Sequence, residues 1–298
     1  MCLKNFAGVE EGESMGHTFD GIEELNNPLP KWWSTFFLLT IIWAFGYIAL
    51  YGLGSWTGLL GWKSSNQGIL NVAEGKAKTA EYLKKDSGVL VQYDREVVQA
   101  DAKYGPIFDA YAARSIEDLA TDADALKVGQ RLFIQNCSQC HGSDARGTTG
   151  FPNLADKDWL YGGSPEQIKE TIMNGRKAVG MMAWAGAIGG EQGVKEVAAY
   201  VISLSGRSIN ADLAKAGKAK FGICAGCHGP DGQGSLAMGT PMGAPNLSDN
   251  TWLYGGSQRA IEESIRNGRA GVMPPWKAIL GEEKVHVISA YVYSLSQD

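Results

Sequence analysis

The sequence predicts an all-α chain: one N-terminal transmembrane helix followed by two tandem helical domains of the same kind. Three observations carry that prediction. Residues 32–62 run for 31 positions without a charged side chain. The pattern Cys-x-x-Cys-His occurs twice, as Cys137-Ser-Gln-Cys140-His141 and, 87 residues later, as Cys224-Ala-Gly-Cys227-His228. The residues that follow the first copy recur in order after the second, so 122–206 and 207–298 read as repeats of one unit.

The chain opens on an acidic lead, residues 1–31, with two Lys against six Asp or Glu. Residues 32–62 then form the membrane anchor. About 20 apolar residues cross a bilayer, and Trp32, Trp33, Trp56 and Trp62 sit where interfacial aromatic belts belong. A cleaved signal peptide is the competing reading. The long acidic lead and the length of the apolar run oppose it. No ionisable side chain lies in the span, so it is expected to anchor and not to conduct protons. The flanking lysines, Lys31 before and Lys63 and Lys76 after, run mildly against the positive-inside rule. Orientation is taken instead from the haem chemistry below. Cys2 is left over as a free thiol of the lead.

Residues 63–121 form a connecting segment. Its apolar positions (Ile69, Val72, Leu83; Val97, Val98, Ala102) fall at roughly helical spacing and are interrupted by Gly75, Gly88, Gly105 and Pro106. That pattern reads as short amphipathic helices joined by turns. A solvated stalk is one role. Tyr93, Tyr104, Phe108 and Tyr111 favour a surface packed on another subunit.

Two cysteines three apart followed at once by histidine is the signature of covalent c-type haem attachment. On one helical turn both thiols face the same side, within reach of one porphyrin, and the histidine follows as the first iron ligand. Cys137, Cys140, Cys224 and Cys227 are therefore the attachment residues of two haems c, and His141 and His228 the proximal ligands. The two domains are then of cytochrome c type. A zinc half-site and a dithiol redox site are the bland alternatives. Zinc ribbons bring their halves closer than the 84 residues from Cys140 to Cys224, and a dithiol site has no need of the histidine. Covalent haem attachment takes place outside the cytoplasm in bacteria. The C-terminal part is therefore expected on the periplasmic side of the inner membrane, with a single pass and a cytosolic lead.

The repeat extends well beyond the pentapeptide. Helix-compatible runs precede both motifs, at 125–136 and 211–222. Asp144 and Gly147 match Asp231 and Gly234; Pro152-Asn-Leu154 matches Pro245-Asn-Leu247; and Trp159-Leu-Tyr-Gly-Gly-Ser164 matches Trp252-Leu-Tyr-Gly-Gly-Ser257. An amphipathic helix follows in each copy and ends at Asn174-Gly-Arg176 or Asn267-Gly-Arg269. A last helix closes each, with apolar stripes Val194, Val197, Val201 and Val285, Ile288, Val292. About 85 residues give a limited core, so each repeat is expected to wrap three or so helices around its own haem. Its folding would then depend on the haem.

The sixth ligand is sought in the matching loops. Val272-Met-Pro-Pro-Trp276 offers Met273. Gly180-Met-Met-Ala-Trp184 offers Met181, which aligns with Met273 when counted back from the shared tryptophan, and Met182, which aligns when counted from Asn-Gly-Arg. Met238 and Met242, in the six residues by which the second copy is longer, are outside candidates. A His and Met pair closes both axial positions and raises the reduction potential, so such an iron passes electrons and binds no oxygen. His17 and His286 are unmatched by the repeat; His286 is expected to be a surface or satisfied residue. Arg176 and Arg269 are either propionate partners or solvated helix ends.

Net charge is −5, but residues 1–121 carry 10 basic and 15 acidic groups while the repeats are nearly balanced, at 8 to 9 and 9 to 8. The acidity lies outside the haem segments and says nothing of a redox partner's charge. No basic cluster points to nucleic acid.

The lead carries Asp20-Gly-Ile-Glu-Glu-Leu-Asn-Asn-Pro-Leu-Pro-Lys-Trp-Trp33. Together with one membrane helix, a connecting segment and two Cys-x-x-Cys-His units, this run resembles the dihaem cytochrome c subunit (subunit III) of cbb3-type cytochrome c oxidases over essentially the entire chain. The resemblance implies an electron-transfer subunit of a proton-pumping terminal oxidase. A soluble cytochrome c or similar donor would reduce it. A monohaem cytochrome c subunit and a catalytic haem-copper subunit would take the electrons on, with oxygen reduced in the latter. It also implies the axial pairs His141 with Met181 and His228 with Met273. Pro152 and Pro245 would offer their carbonyls to the haem histidines. The family's Met-Pro pair is Met181-Met182 in the first unit, a departure from the pattern. A free-standing membrane-anchored dihaem carrier would share every haem residue but would not need the N-terminal run. A dihaem peroxidase would need one open iron site, which two matched methionines oppose. A purely structural assembly subunit would leave two haems without a use.

Overall fold

The computed structural model describes residues 13–26, 29–51, 59, 92–207 and 210–297. Cys2, Trp56, Trp62 and the connecting-segment positions Ile69, Val72, Leu83 and Tyr93 therefore lie outside the residues, or the side chains, described.

The lead contains a feature the sequence reading did not anticipate, an antiparallel hairpin of β1 (Glu13–Phe19) and β2 (Ile22–Asn26). Asp20-Gly21 makes its two-residue turn with both φ angles positive, the backbone that such tight turns require. Helix α1 (Lys31–Tyr51) follows Pro30, has no buried residue, and is long and apolar enough to cross a membrane. Its Thr35 and Thr40 hydroxyls donate to the carbonyls of Lys31 and Phe37 at 2.8 and 2.7 Å, so their polar atoms are satisfied within the helix.

From Glu96 onward the described residues belong to one compact unit. Helix α2 (Gln92–Ala112) runs straight through Gly105-Pro106, where the sequence reading placed a break. Part of proline's cost in a helix is the clash of its ring with the Cβ of the residue before it, and Gly105 has no Cβ. A single turn, α3 (Ile116–Leu119), leads into the first repeat.

Each repeat supplies the helices that its pattern predicts. In the first, α4 (Ala123–Asn136) is capped by Asp122, α5 (Ser138–His141) carries the motif, and α6 (Pro165–Asn174) begins on a Ser164–Gln167 capping box. The closing helix α7 (Gly190–Leu204) follows. In the second, α8 (Ala211–Lys220) is capped by Asn210, α9 (Gly222–His228) carries the motif, and α10 (Gly234–Ala237) lies in the longer loop. Then come α11 (Gln258–Asn267), α12 (Lys277–Leu280) and the closing α13 (Glu282–Leu295). The fold is mostly helical, as predicted.

The two closing helices are exchanged. Val285, Ile288, Tyr291 and Val292 of α13 pack on Phe133 of α4 and on Ile168, Ile172 and Met173 of α6. Val194, Val197, Val201 and Ile202 of α7 pack on Phe221 and on Ile261 and Ile265 of α11. The pseudo-symmetry reaches single rings: Tyr291 lies against Phe133 at 5.5 Å, and Tyr200 against Phe221 at 5.1 Å. Gly129 and Gly217 hold matching positions. A Cβ on Gly129 would lie 2.7 Å from the Tyr291 Cβ, and one on Gly217 would lie 1.9 Å from the Glu196 carbonyl oxygen. Both therefore set the close approach of an exchanged helix. Residues 122–206 and 207–298 are repeats in sequence, but neither packs around its own closing helix as expected. The stripes on α7 and α13 are alike, so they say which face is buried and not which repeat it meets.

The chain crosses over on a short antiparallel ladder of β3 (Arg176–Lys177) with β4 (Val272–Met273). Ala178 N–H donates to Gly271 at 3.0 Å, and Met181 and Arg269 exchange backbone bonds of 2.7 and 2.8 Å. Beyond the crossing, Trp276 N–H donates to the Ile172 carbonyl at 3.0 Å and Trp184 N–H to that of Ile265 at 2.9 Å.

Burying a Val, Ile or Tyr side chain contributes about 1.5–3 kcal/mol. The α13 stripe thus contributes on the order of a small domain's entire net stability. A fragment ending at Gly206 therefore lacks the helix that closes its own Phe133 core, and is expected to show no cooperative thermal unfolding by circular dichroism. A cooperative transition like that of the full chain would contradict the exchange.

Candidate functional site

The motif residues are placed alike in the two cores. Cys137 and Cys224 are half-buried against the Phe133 and Phe221 cores respectively, while Cys140 and Cys227 stand exposed at the rim. All four thiols are free. Burial pushes the Cys137 thiol up to about 11, with Cys140 adding to the effect, and raises Cys224 for the same reason. A dithiol redox centre depends on a depressed thiol pKa, and the shift here is the opposite. The two Cys-x-x-Cys pairs also lie in separate cores, so they are not halves of one four-thiolate site.

His141 and His228 are only 8% and 9% exposed. Their Nδ1 atoms lie 3.0 Å from the Pro152 carbonyl and 2.9 Å from the Pro245 carbonyl. A carbonyl only accepts, so Nδ1 carries the proton and donates it. The Nε2 lone pair is left for a metal, the arrangement by which second-sphere partners orient ligating histidines. Burial lowers the pKa of both imidazoles, against a smaller opposing effect of the proline carbonyls. Each is thus held in the neutral, ligating form.

The methionines are where the exchange matters. Met273 packs on the core that holds Cys137, Leu154 and Trp159. Met181 packs on the core that holds Cys224, Leu247 and Trp252. The packing therefore groups the first motif with Met273 and the second with Met181. The resemblance implies the other pairing, within each contiguous repeat, Met181 with His141 and Met273 with His228. Met182 is 66% exposed, Met238 is 38% exposed, and neither they nor Met242 belong to a core.

Each crossing loop is held by a glycine of the other repeat. A Cβ on Gly175 would stand 2.3 Å from the Met273 carbonyl oxygen, and one on Gly268 2.2 Å from that of Met181. Both glycines have positive φ, +67° and +73°. Sequence reasoning saw these two positions only as helix stops. Their identical placement after Asn was the available signal.

Arg176 and Arg269 are half-buried, neither freely solvated nor loose. Arg176 lies over the Tyr161 ring at 5.0 Å and donates from Nε to Thr171 Oγ1; Arg269 lies over Tyr254 at 4.5 Å and donates to Ser264 Oγ. His286 is buried on α13, with Nε2 2.8 Å from the Arg114 carbonyl, which gives it the satisfied role of the two expected. His17 is exposed, 3.4 Å from Glu24.

A cavity of about 550 Å³ opens between the loop after the first motif and its counterpart after the second. Equivalent residues line it from the two sides: Pro152 and Pro245, Asn153 and Asn246, Trp159 and Trp252. Burial raises the Asp156 and Asp249 carboxyls, and Thr251 Oγ1 donates to Asp158 across the gap at 2.6 Å.

Each core, then, has one motif cysteine and one methionine packed on it, and each motif adds a second thiol and a buried imidazole whose Nδ1 is engaged. That donor set fits a covalently held haem.

The sequence was compared with known families and proteins. A family model described as the N-terminal domain of cytochrome oxidase-cbb3, FixP, matches residues 11–57, and one described as cytochrome c oxidase, cbb3-type, subunit III matches 124–201 and 212–292. The cbb3-type cytochrome c oxidase subunit CcoP of Rubrivivax gelatinosus is 43% identical over 97% of this chain and 86% of its own length. The chain belongs to the subunit III family of cbb3-type cytochrome c oxidases. CcoP of Azospirillum brasilense is 37% identical over 99% of both chains, and FixP of Sinorhizobium medicae 38% identical over 98% of this chain and 97% of its own. The resemblance read from the lead and the tandem motifs is borne out. The family's N-terminal domain takes in the hairpin and α1, and its two cytochrome matches begin within α4 and α8.

Gly175→Ala is expected to force Met273 off its place, with a loss of about 1–3 kcal/mol from strain and overpacking. Thermal unfolding measures that loss. The weak near-infrared band of methionine-ligated ferric haem should fade in part, and an unchanged band with unchanged stability would remove Gly175 from any role in holding Met273.

Proposed function

We propose that this chain is a dihaem electron-transfer subunit, anchored in the bacterial inner membrane by α1, with its haem domains on the periplasmic side. Cys137 with Cys140 and Cys224 with Cys227 hold two haems c through thioethers. The axial pairs are His141 with Met273 and His228 with Met181. The observation that carries the reading is that each core joins the first motif cysteine of one repeat to a methionine of the other.

A haem closed by imidazole and thioether supplies one-electron chemistry at a raised potential and leaves no coordination site for oxygen. The chain's own contribution is to keep both ligands in place in either oxidation state. Pro152 and Pro245 fix the imidazole tautomers, and the ladder fixes the methionine backbones. Packed ligands that do not move between oxidation states keep reorganisation small. Electrons enter from a soluble cytochrome c or a similar donor, pass to a monohaem cytochrome c subunit, and reach the catalytic haem-copper subunit, where oxygen is reduced. The N-terminal match favours this reading over a free-standing dihaem carrier, which would need only an anchor.

Purification in mild detergent separates the two. Co-purification of copper and haem b, with two haems c per chain by pyridine haemochrome, is expected. Their absence from an intact preparation would leave the free-standing carrier. The ligand pairs have their own test in a two-component redox titration. Met273→Ala should lower the potential of the same component that His141→Ala removes, and Met181→Ala that of the His228 component. The opposite assignment would restore pairing within each repeat.

A further inference from the structure

Two buried side-chain atoms have no hydrogen bond among the described residues, Glu196 Oε2 and Arg207 Nη2. Glu196 Oε2 is 2.6 Å from Lys220 Nζ and so has its counter-charge. Arg207 has none among the described residues.

Arg207 follows α7 and is held on three sides. Its Nε donates to Ser205 Oγ at 3.0 Å, its Nη1 donates to the Gly256 carbonyl at 2.5 Å, and its guanidinium lies over the Trp252 ring at 5.1 Å. Trp252 is itself pinned: a Cβ on Gly256 would lie 2.6 Å from its Cδ1. Trp252 also packs in the core that contains Cys224 and Met181. The guanidinium is thus rigid and directed. Arg207 is half-buried, and its buried Nη2 with no acceptor carries a penalty that an anion at that nitrogen removes. Ser205 and Gly256 supply only neutral acceptors, so the charge is left uncompensated.

We propose that Arg207 Nη2 binds a propionate carboxylate of the haem held at Cys224 and Cys227. The proposal rests on the reading of that motif as a haem attachment site. A haem places carboxylates at the edge of the core that receives it, and the unpartnered Nη2 carries two N–H groups that a carboxylate oxygen can accept from. Among the described residues the first core has no counterpart. Counting back three residues from the helix caps, Arg207 before Asn210 corresponds to Leu119 before Asp122, and Leu119 is fully buried beside Ile116, Ala125 and Ala290. The cation therefore distinguishes one haem from the other. A fixed positive charge beside a haem disfavours the ferric state, which carries one more positive charge, and raises the potential of that haem alone.

The test uses the full-length, haem-loaded protein in detergent. Arg207→Gln should keep two haems c by pyridine haemochrome and leave one redox component in place. The other should shift toward the oxidised form by roughly tenfold, about 59 mV for a one-electron couple. The shifted component should also become pH-dependent, because its propionate is no longer held ionised, and the propionate bending band in resonance Raman should move. Two haems with both potentials and the Raman band unchanged would overturn the proposal, as would equal shifts of both components. A wild-type chain with no haem at the second motif would sink the underlying attachment reading instead. Should Arg207→Gln fail to retain haem, Arg207→Lys decides. It keeps the charge but not the planar fork, so it should retain both haems with a displaced propionate band, and a band at the wild-type position would overturn the proposal.

Discussion

The antiparallel ladder between Arg176–Lys177 and Val272–Met273 is the feature on which the rest of the unit depends. Here each repeat leaves the helices that carry its own motif and enters the neighbourhood of the other. The backbone bonds that hold the crossing run on through Ala178 to Gly271 and through Met181 to Arg269. The tryptophans beyond it, Trp184 and Trp276, then donate to the last turns of α11 and α6. Exchange of identical elements normally joins two copies of a chain. In this chain the two copies are covalently linked, so the exchange is intramolecular and carries no concentration-dependent penalty. Its consequence is a pair of cores in which neither is complete without the other.

Function follows from what each core gathers. The motif helix, the proline loop and the α4–α6 or α8–α11 pair come from one repeat; the methionine loop and the closing helix come from the other. The histidines are neutral because they are buried, and their tautomer is set because a proline carbonyl only accepts. The methionine backbones are held by contacts at Gly175 and Gly268 that leave no room for a side chain. Under the proposed axial pairs, an oxidation change at one iron is felt by a ligand whose backbone belongs to the other repeat. The β3–β4 ladder is then a mechanical link between two redox centres as well as a structural one.

Much of this was legible in the sequence. The helix-compatible runs before the tandem motifs, the matched Pro, Trp and Asn-Gly positions and the apolar stripes of α7 and α13 each have a local cause, and each appears where its pattern placed it; of the uncharged run, residues 32–51 are helical. What was not legible is non-local. A stripe of Val194, Val197 and Val201 specifies a buried face, but an equally good partner surface exists on either repeat. Only the length and path of the methionine loops choose between them. The hairpin of the lead was missed because its side chains are all exposed, so no apolar alternation marked it, although Asp20-Gly21 was a turn signal in plain sight. Pro106 was over-read as a helix break, and the glycine before it removes one part of proline's steric cost. Arg207 was invisible to the repeat comparison because it has no match, and its significance lies in a single atom that lacks a partner.

Under the proposed function, a chain built from two similar repeats has to make its two centres different if electrons are to move through it in one direction. The exchange works against that, since it gives both cores the same elements in the same arrangement, down to the paired rings Phe133 with Tyr291 and Phe221 with Tyr200. Differences must then come from the residues that break the repeat. They include the proline after Met273 against Met182 after Met181, the longer loop with α10, Arg146 where the second copy has Gln233, and Arg207 where the first copy has Leu119. Of the two that change charge, only Arg207 has a buried side-chain atom without a partner among the described residues. A charge in a buried site acts at longer range and with less screening than an exchange of apolar groups. The sequence difference most able to set one haem apart from the other is therefore the one that replaces a core leucine with a guanidinium.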